Sequence, residues 1–168
     1  MAAYASRAAQ GALTPQAQRA WTAFLTMQRQ LFVHLHRQLQ GEFGISGPDF
    51  EILVNLSEAP GGRLRPFELS RATQWEKSRM SHQLRRMAER GLVRREATRD
   101  PRYADIVLTE QGRAAVDATA PRHAEAVRAL FAEAVGAGHL TEFAQACERV
   151  SEATLGHRVG EYGTDGQG

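Results

Sequence analysis

A mainly α-helical fold with one small β-hairpin is what the sequence predicts, and three observations predict it. Met80, Leu84 and Met87 recur at the i, i+4, i+7 spacing of one buried helix face, and Gly91 stands where a left-handed cap belongs. The other side of that helix carries Ser78, Ser81, His82 and Arg85, with Lys77, Arg79 and Arg86 beside it. After Gly91 the period changes to two: Leu92, Val93 and Arg95 lead to Arg99-Asp100-Pro101-Arg102, and Ile106-Val107-Leu108 returns. A helix with one apolar and one cationic side, followed by a hairpin with a charged tip, is a reading helix with a wing.

Each element follows from local chemistry. Residues 1–13 are small and polar and read as a flexible arm. Thr14-Pro15 caps and starts a helix in which Trp21, Phe24, Leu25, Leu31, Phe32, Leu35 and Leu39 keep helical spacing to about Gln40, and Gly41 to Gly44 stops it. Gly47-Pro48 starts the next, with Phe50, Leu53, Val54 and Leu56 inward, and Pro60-Gly61-Gly62 ends it. Leu64 is placed to add a short strand to the wing. Pro66 to Ala72 forms a short helix with Leu69 and Ala72 inward, and Thr73-Gln74 is the turn into the reading helix, which completes a helix-turn-helix. Thr109 caps a helix containing Val116, with a kink expected near Ala120 because Pro121 lacks a donor and crowds the preceding turn. That helix continues through Val127, Leu130, Phe131 and Val135 to Gly136–Gly138. Leu140 to about Leu155 makes the last, with Phe143, Cys147 and Val150 on one side, and 156–168 reads as a disordered tail.

Charge is distributed unevenly. The 168 residues carry a net +2, but residues 71–102 hold ten Arg and Lys against four acids, a local +6. The rest of the chain is therefore acidic, at −4, and the positive charge lies where the reading helix does. A polyanion is the partner this implies, and Arg, Lys, Ser and His on such a face suit the major groove of double-stranded DNA. The single Cys147 excludes an internal disulfide and reads as a small core residue. No apolar run is long enough to cross a bilayer and the start has no signal-like stretch, so a cytoplasmic location and no membrane partner are expected.

The ordered set Leu69-Ser70, Ser78-Arg79-Met80-Ser81, Glu89-Arg90-Gly91-Leu92-Val93, Asp100-x-Arg102 and Leu108-Thr109-Glu110-Gln111-Gly112-Arg113 resembles the MarR family of winged helix-turn-helix transcription regulators. The resemblance runs, with weaker motifs, from about Ala17 to Leu155. It implies one domain over 14–155, with a DNA-binding part at about 48–108 and dimerisation helices at about 14–40 and 109–155. It also implies a homodimer, probing two half-sites of a pseudo-palindromic operator, most naturally as a repressor. In such proteins aromatic acids and phenols bind where the dimer helices meet the reading domain. The resemblance thus makes Trp21, Phe24, Phe32, His34, His36 and Phe50 a candidate pocket for a small aromatic effector, with plain core and interface as the other reading of each. Trp75 and Glu76 depart from the smaller residues the family usually has at the start of the reading helix.

The candidate DNA contacts are Lys77, Ser78, Arg79, Ser81, His82, Arg85, Arg86, Arg95, Arg99, Asp100 and Arg102. His82 either meets a base or fills a polar gap, and Asp100 orients Arg102 toward a phosphate or the minor groove. No Gly-rich phosphate loop, nucleophile elbow, His-Glu-x-x-His or carboxylate pair is present, so no catalytic residue, cofactor or enzyme activity is expected. His34 and His36 diverge on a helix, and His139 with Cys147 lacks a matching ligand set, so no metal site is expected. The alternative function is a non-specific architectural winged-helix protein, which would bind many sequences alike.

Overall fold

The computed structural model describes residues 13–97 and 104–161, the last six of these by backbone alone. The expected arm, the hairpin tip at 98–103 and the end of the tail lie outside the described residues. The chain divides into two compact units, one up to Ala124 and one from Glu125. No helix among the described residues is long and apolar enough to cross a membrane.

The first unit opens with α1 (Pro15–Phe43), whose start is capped as expected, the Thr14 side chain accepting from the Ala17 N–H. It continues through Gly41 and ends three residues later than predicted, because the left-handed residue that terminates it is Gly44, at φ 65°. A glycine inside a helix is a modest cost, whereas Gly44 adopts αL without one. α2 (Gly47–Glu58) begins in a capping box: the Ser46 hydroxyl accepts from the Asp49 N–H while the Asp49 carboxylate accepts from the Ser46 N–H. It buries Ile52, Leu53 and Leu56, while Phe50 and Val54 are half-buried.

A single turn at Pro60–Gly62 leads to β1 (Arg63–Leu64), and α3 (Pro66–Thr73) follows. Leu69 is buried as expected, but Ala72 is exposed and Thr73 takes the inward place, its hydroxyl donating to the Leu69 carbonyl. The turn is made by Gln74, which adopts αL at φ 56° and donates from its side chain to the Arg71 carbonyl. α4 (Lys77–Glu89) is the reading helix, with Met80, Leu84 and Met87 almost wholly buried. Its end is a Schellman motif: the Leu92 N–H reaches Met87 O and the Gly91 N–H reaches Ala88 O, with Gly91 at φ 71°.

β2 (Val93–Ala97) and β3 (Ala104–Leu108) pair antiparallel with Val93 opposite Leu108, and β1 adds to the other edge of β3 with Leu64 opposite Ile106. The sheet order is therefore β1-β3-β2, and the short strand expected at Leu64 is present. Ile45, Ile52, Leu53, Leu56, Leu69, Met80, Leu84, Met87, Leu92, Val93, Ile106, Leu108 and Val116 form one core, so α2, α3, the reading helix, α5 and the wing share it.

α5 (Glu110–Val127) starts at Thr109, whose hydroxyl accepts from the Gly112 N–H. The helix runs through Pro121 without a break, and the irregular stretch falls later, as a π-helical turn at Arg128–Ala132. Just before the proline, the buried Thr119 hydroxyl donates to the carbonyls of Ala115 and Val116, and such back-bonding bends helices gradually. α6 (Glu133–Val135) is a short continuation that ends at Gly136, φ 84°. α7 (Leu140–Glu161) extends six residues past the expected end at Leu155, so the predicted tail is helical in its first part. Within this second unit Phe131 and Phe143 pack edge to face at 5.3 Å, while Cys147 and Val150 are exposed rather than buried.

Candidate nucleic-acid interface

α4 can present an outward face only because its inward face is held in register. Asp49, buried at the start of α2, accepts from Gln83 Nε2 at 2.6 Å and from Arg90 Nη1 at 2.7 Å. Arg90 Nη2 also donates to the Gly44 carbonyl at 2.7 Å, so one guanidinium ties the end of α4 to the end of α1 and the start of α2. A buried carboxylate satisfied by its own cap, an amide and a guanidinium avoids the penalty of an unpaired charge, and it fixes the rotation of α4 about its axis. Sequence reasoning singles out neither Asp49 nor Gln83. The Ser46-x-x-Asp49 capping pattern is the available signal for the first, whereas the pairing with residues more than thirty positions away has no local one.

With that rotation fixed, Lys77, Ser78, Arg79, Ser81, His82 and Arg85 are all exposed. Ser78, Ser81, His82 and Arg85 border one open concavity of about 730 Å³, together with Ala88 and Glu89 and with Arg95 from β2. The helix and the wing thus contribute to the same surface. Arg85 Nη2 donates to His82 Nδ1 at 3.0 Å, which gives the His82 ring a donor partner on the helix itself, and Arg85 Nε lies 4.0 Å from Glu89. These exposed pairs are weak and can exchange for a base edge or phosphate. Arg86 is less available, since its guanidinium donates to Gln83 Oε1 and so joins the Asp49 network. Arg79 lies with its Cζ 4.0 Å from the centre of the Trp75 ring.

The start of α4 adds backbone donors. Glu76 is its N-cap and makes no side-chain cap hydrogen bond, so the first-turn N–H groups lie beside Lys77 and Ser78, an arrangement that suits a phosphate. On the wing, Arg94 and Arg63 are neutralised locally: Glu96 meets Arg94 at 3.0 Å and Arg63 at 3.2 Å. The hydrogen bond from Arg94, with Arg63 nearby, holds the Glu96 carboxyl below its ordinary range. Arg99, Asp100 and Arg102 lie outside the described residues.

A second feature sits on the other side of α2. Phe32, Leu35, His36 and Leu39 of α1, Gly47, Phe50, Glu51, Val54 and Asn55 of α2, and His123 of α5 line a cavity of about 250 Å³. Of the six residues read as a pocket, Phe32, His36 and Phe50 come together there, while Trp21, Phe24 and His34 do not line it. Gly47 lets the His36 ring pack against the backbone, since a Cβ there would make the ring move aside. His123 is a lining residue that no sequence signal marks. Its ring packs 4.6 Å from that of Phe50, its buried Nδ1 has no hydrogen-bond partner among the described residues, and burial, then the His36 charge, lowers its pKa. Burial raises the Glu51 pKa, with Arg79 and His36 opposing the shift.

The MarR family model matches residues 43–102, from the end of α1 into the wing. The HTH-type transcriptional repressor YetL of Bacillus subtilis is 34% identical over 89 residues, which are 52% of this chain and 53% of that protein, so the chain spans about half the length of this relative. The crystal structure of AbsC, a MarR family transcriptional regulator from Streptomyces coelicolor, is 40% identical, with 86% of this chain and 97% of that one covered at a TM-score of 0.81. That of Sco3205, a MarR family transcriptional regulator from the same organism in complex with DNA, is 32% identical, covering 84% and 89% at a TM-score of 0.80. With winged geometry, charge and near-complete coverage of regulators in agreement, the chain belongs to the MarR family of transcriptional regulators, a family of regulators and not of enzymes.

Proposed function

We propose that the chain is a sequence-specific DNA-binding regulator that acts as a homodimeric repressor on a pseudo-palindromic operator. The observation that carries this reading is the exposed Ser78, Ser81, His82 and Arg85 face on a helix locked by the Asp49 network, with Arg95 beside it. Side chains on a rigid helix can match the donor and acceptor pattern of a major-groove edge, whereas a merely basic surface cannot. The similarity to a regulator solved on DNA and to a repressor supports the same conclusion. The exposed Trp21, Phe24, Leu25 and Val33 of α1 support a second copy as partner.

A small aromatic effector fits the cavity between α1, α2 and α5. Phe32 and Phe50 offer apolar walls, while Glu51, Asn55, His36 and the unpartnered Nδ1 of His123 offer polar ends. No Lys or Arg is among the described lining residues, which favours a phenol or another hydrogen-bond donor over a carboxylate. Release from DNA requires a ligand that discriminates between the two states by roughly 10⁴-fold if occupancy is to fall from nearly full to nearly empty.

Selection of bound fragments from random DNA at fixed salt tests the central claim. Enrichment of one two-fold symmetric site is expected, with Arg85→Ala losing on the order of 1–3 kcal/mol on it and tolerating base changes at one position of each half-site. Equal retention of all sequences would support the architectural reading instead.

A further inference from the structure

Arg79 differs from the other cations of the reading helix in having a platform. Trp75 precedes α4, is half-buried, and packs against the core of the first unit. Its backbone is pinned as well, the Trp75 N–H donating to the Ser70 carbonyl at 3.0 Å directly after the αL residue Gln74. One helical turn on, the Arg79 guanidinium lies over the indole with Cζ 4.0 Å from the ring centre. On α2, burial raises the Glu51 pKa and the nearby Arg79 charge opposes that shift. A long, rotamer-rich side chain at the exposed start of a helix is thus held by an aromatic face that the core itself holds.

We propose that Trp75 is a positioning residue that fixes Arg79 as a base-edge contact of the reading helix. Stacking covers one face of the guanidinium and leaves its edge N–H groups free, and that edge is what pairs bidentately with the two acceptors of a guanine. A free arginine at the same place would sample phosphates and bases alike. The stacked one enters the groove already ordered, so part of its entropy loss precedes binding. Lysine could not substitute, since an ammonium has neither the planar face nor the fork. This inference rests on the operator-binding reading above.

The test repeats the random-DNA selection with Trp75→Leu, Trp75→Phe, Arg79→Lys and Arg79→Ala, each checked by thermal melting and far-UV circular dichroism. Trp75→Leu is expected to lower affinity for the preferred site about threefold to tenfold and to flatten the preference at one position per half-site. Trp75→Phe should keep most of that preference. Arg79→Lys retains the charge on an exposed site, so it should fold normally and lose the same base preference as Trp75→Leu, with the salt slope unchanged. In an Arg79→Ala background, Trp75→Leu should have little further effect, because the two act as one unit. Should Trp75→Leu fail to fold, Trp75→Phe and Arg79→Lys still decide. A wild-type preference that Arg79→Lys leaves intact, or additive losses in the double variant, overturns the proposal alone. A wild-type chain that enriches no sequence overturns both this and the parent reading.

Discussion

Helices α4 and α7 make an instructive pair, because each carries apolar residues and only one has them covered. In α4, Met80, Leu84 and Met87 are at most 1% exposed, closed over by α2, α3 and the wing. In α7, Val150 is 67% and Leu155 61% exposed, and no residue of that helix with a described side chain is buried. The first half of α1 resembles α7, with Trp21 half exposed and stacked on Phe24 at 5.8 Å. The winged part is a core in its own right, whereas each terminal helix carries apolar surface that the described residues of its own unit leave open. A helix with an uncovered apolar stripe asks for a partner, and a second copy is the partner this reading supplies.

The largest effect should come from the covered side of the comparison. Leu84→Ala is predicted to lower unfolding free energy by about 2–5 kcal/mol, measured by denaturant titration. A loss below about 1 kcal/mol would mean that the core is not shared as described. Next, Asp49→Ala leaves the Gln83 amide and Arg90 without their buried acceptor and should cost about 1–3 kcal/mol, the Arg90 side chain being exposed enough to regain water. The same variant should loosen DNA discrimination, since it frees the rotation of α4.

On the uncovered side the folding effect should be small and the assembly effect complete. Phe24→Asp is expected to change the stability of the winged part by no more than about 0.5 kcal/mol. In sedimentation at micromolar concentration it should turn a dimer into a monomer. A wild-type chain that sediments as a monomer would break the comparison outright, by showing that the open helices need no partner.

The smallest effect concerns His123. Its folded pKa lies below the usual 6.5 because burial disfavours the imidazolium, so the neutral ring contributes stability above that pH. That contribution should fall away as the pH drops from 6.5 through the lower folded value. Thermal melts from about pH 8 to about pH 5 should show the loss in wild type and a flatter profile in His123→Phe. Parallel profiles would remove His123 from the titrating groups of the cavity.

Periodicity is enough to read most of the fold. The i, i+4, i+7 set of α4, the switch to period two and the Gly91 cap are signals within a dozen residues, and each has its expected place in the structure. What escapes depends on distance or on competition. Ile52 sits in the core beside the expected Leu53 and Leu56, since α2 is covered from two directions and buries a wider stripe than one face. The π-helical turn at Arg128–Ala132 has no signal in the periodic pattern, which runs on past Pro121 as expected. Ala72 and Thr73 exchange roles because the short helix carries one residue further into the loop, and the threonine satisfies its own hydroxyl there. In the site, the outward residues of α4 are legible as a face, but the Trp75 platform and the Asp49 anchor are not. Both are contacts that only the folded backbone creates.

Thr109 joins elements that look separate in the chain. Its hydroxyl donates to the carbonyls of Gly91 and Leu92 at 2.6 and 3.0 Å and accepts from Gly112 N–H at 2.9 Å, while its own N–H reaches Leu92 O at 3.3 Å. Gly112 fits so closely that a Cβ there would collide with the Leu92 carbonyl oxygen. The foot of the reading helix and the head of α5 therefore meet at one hydrogen-bonded, closely packed point. The turn that closes the reading helix and the turn that opens α5 are thus one hydrogen-bonded unit, held by a single threonine.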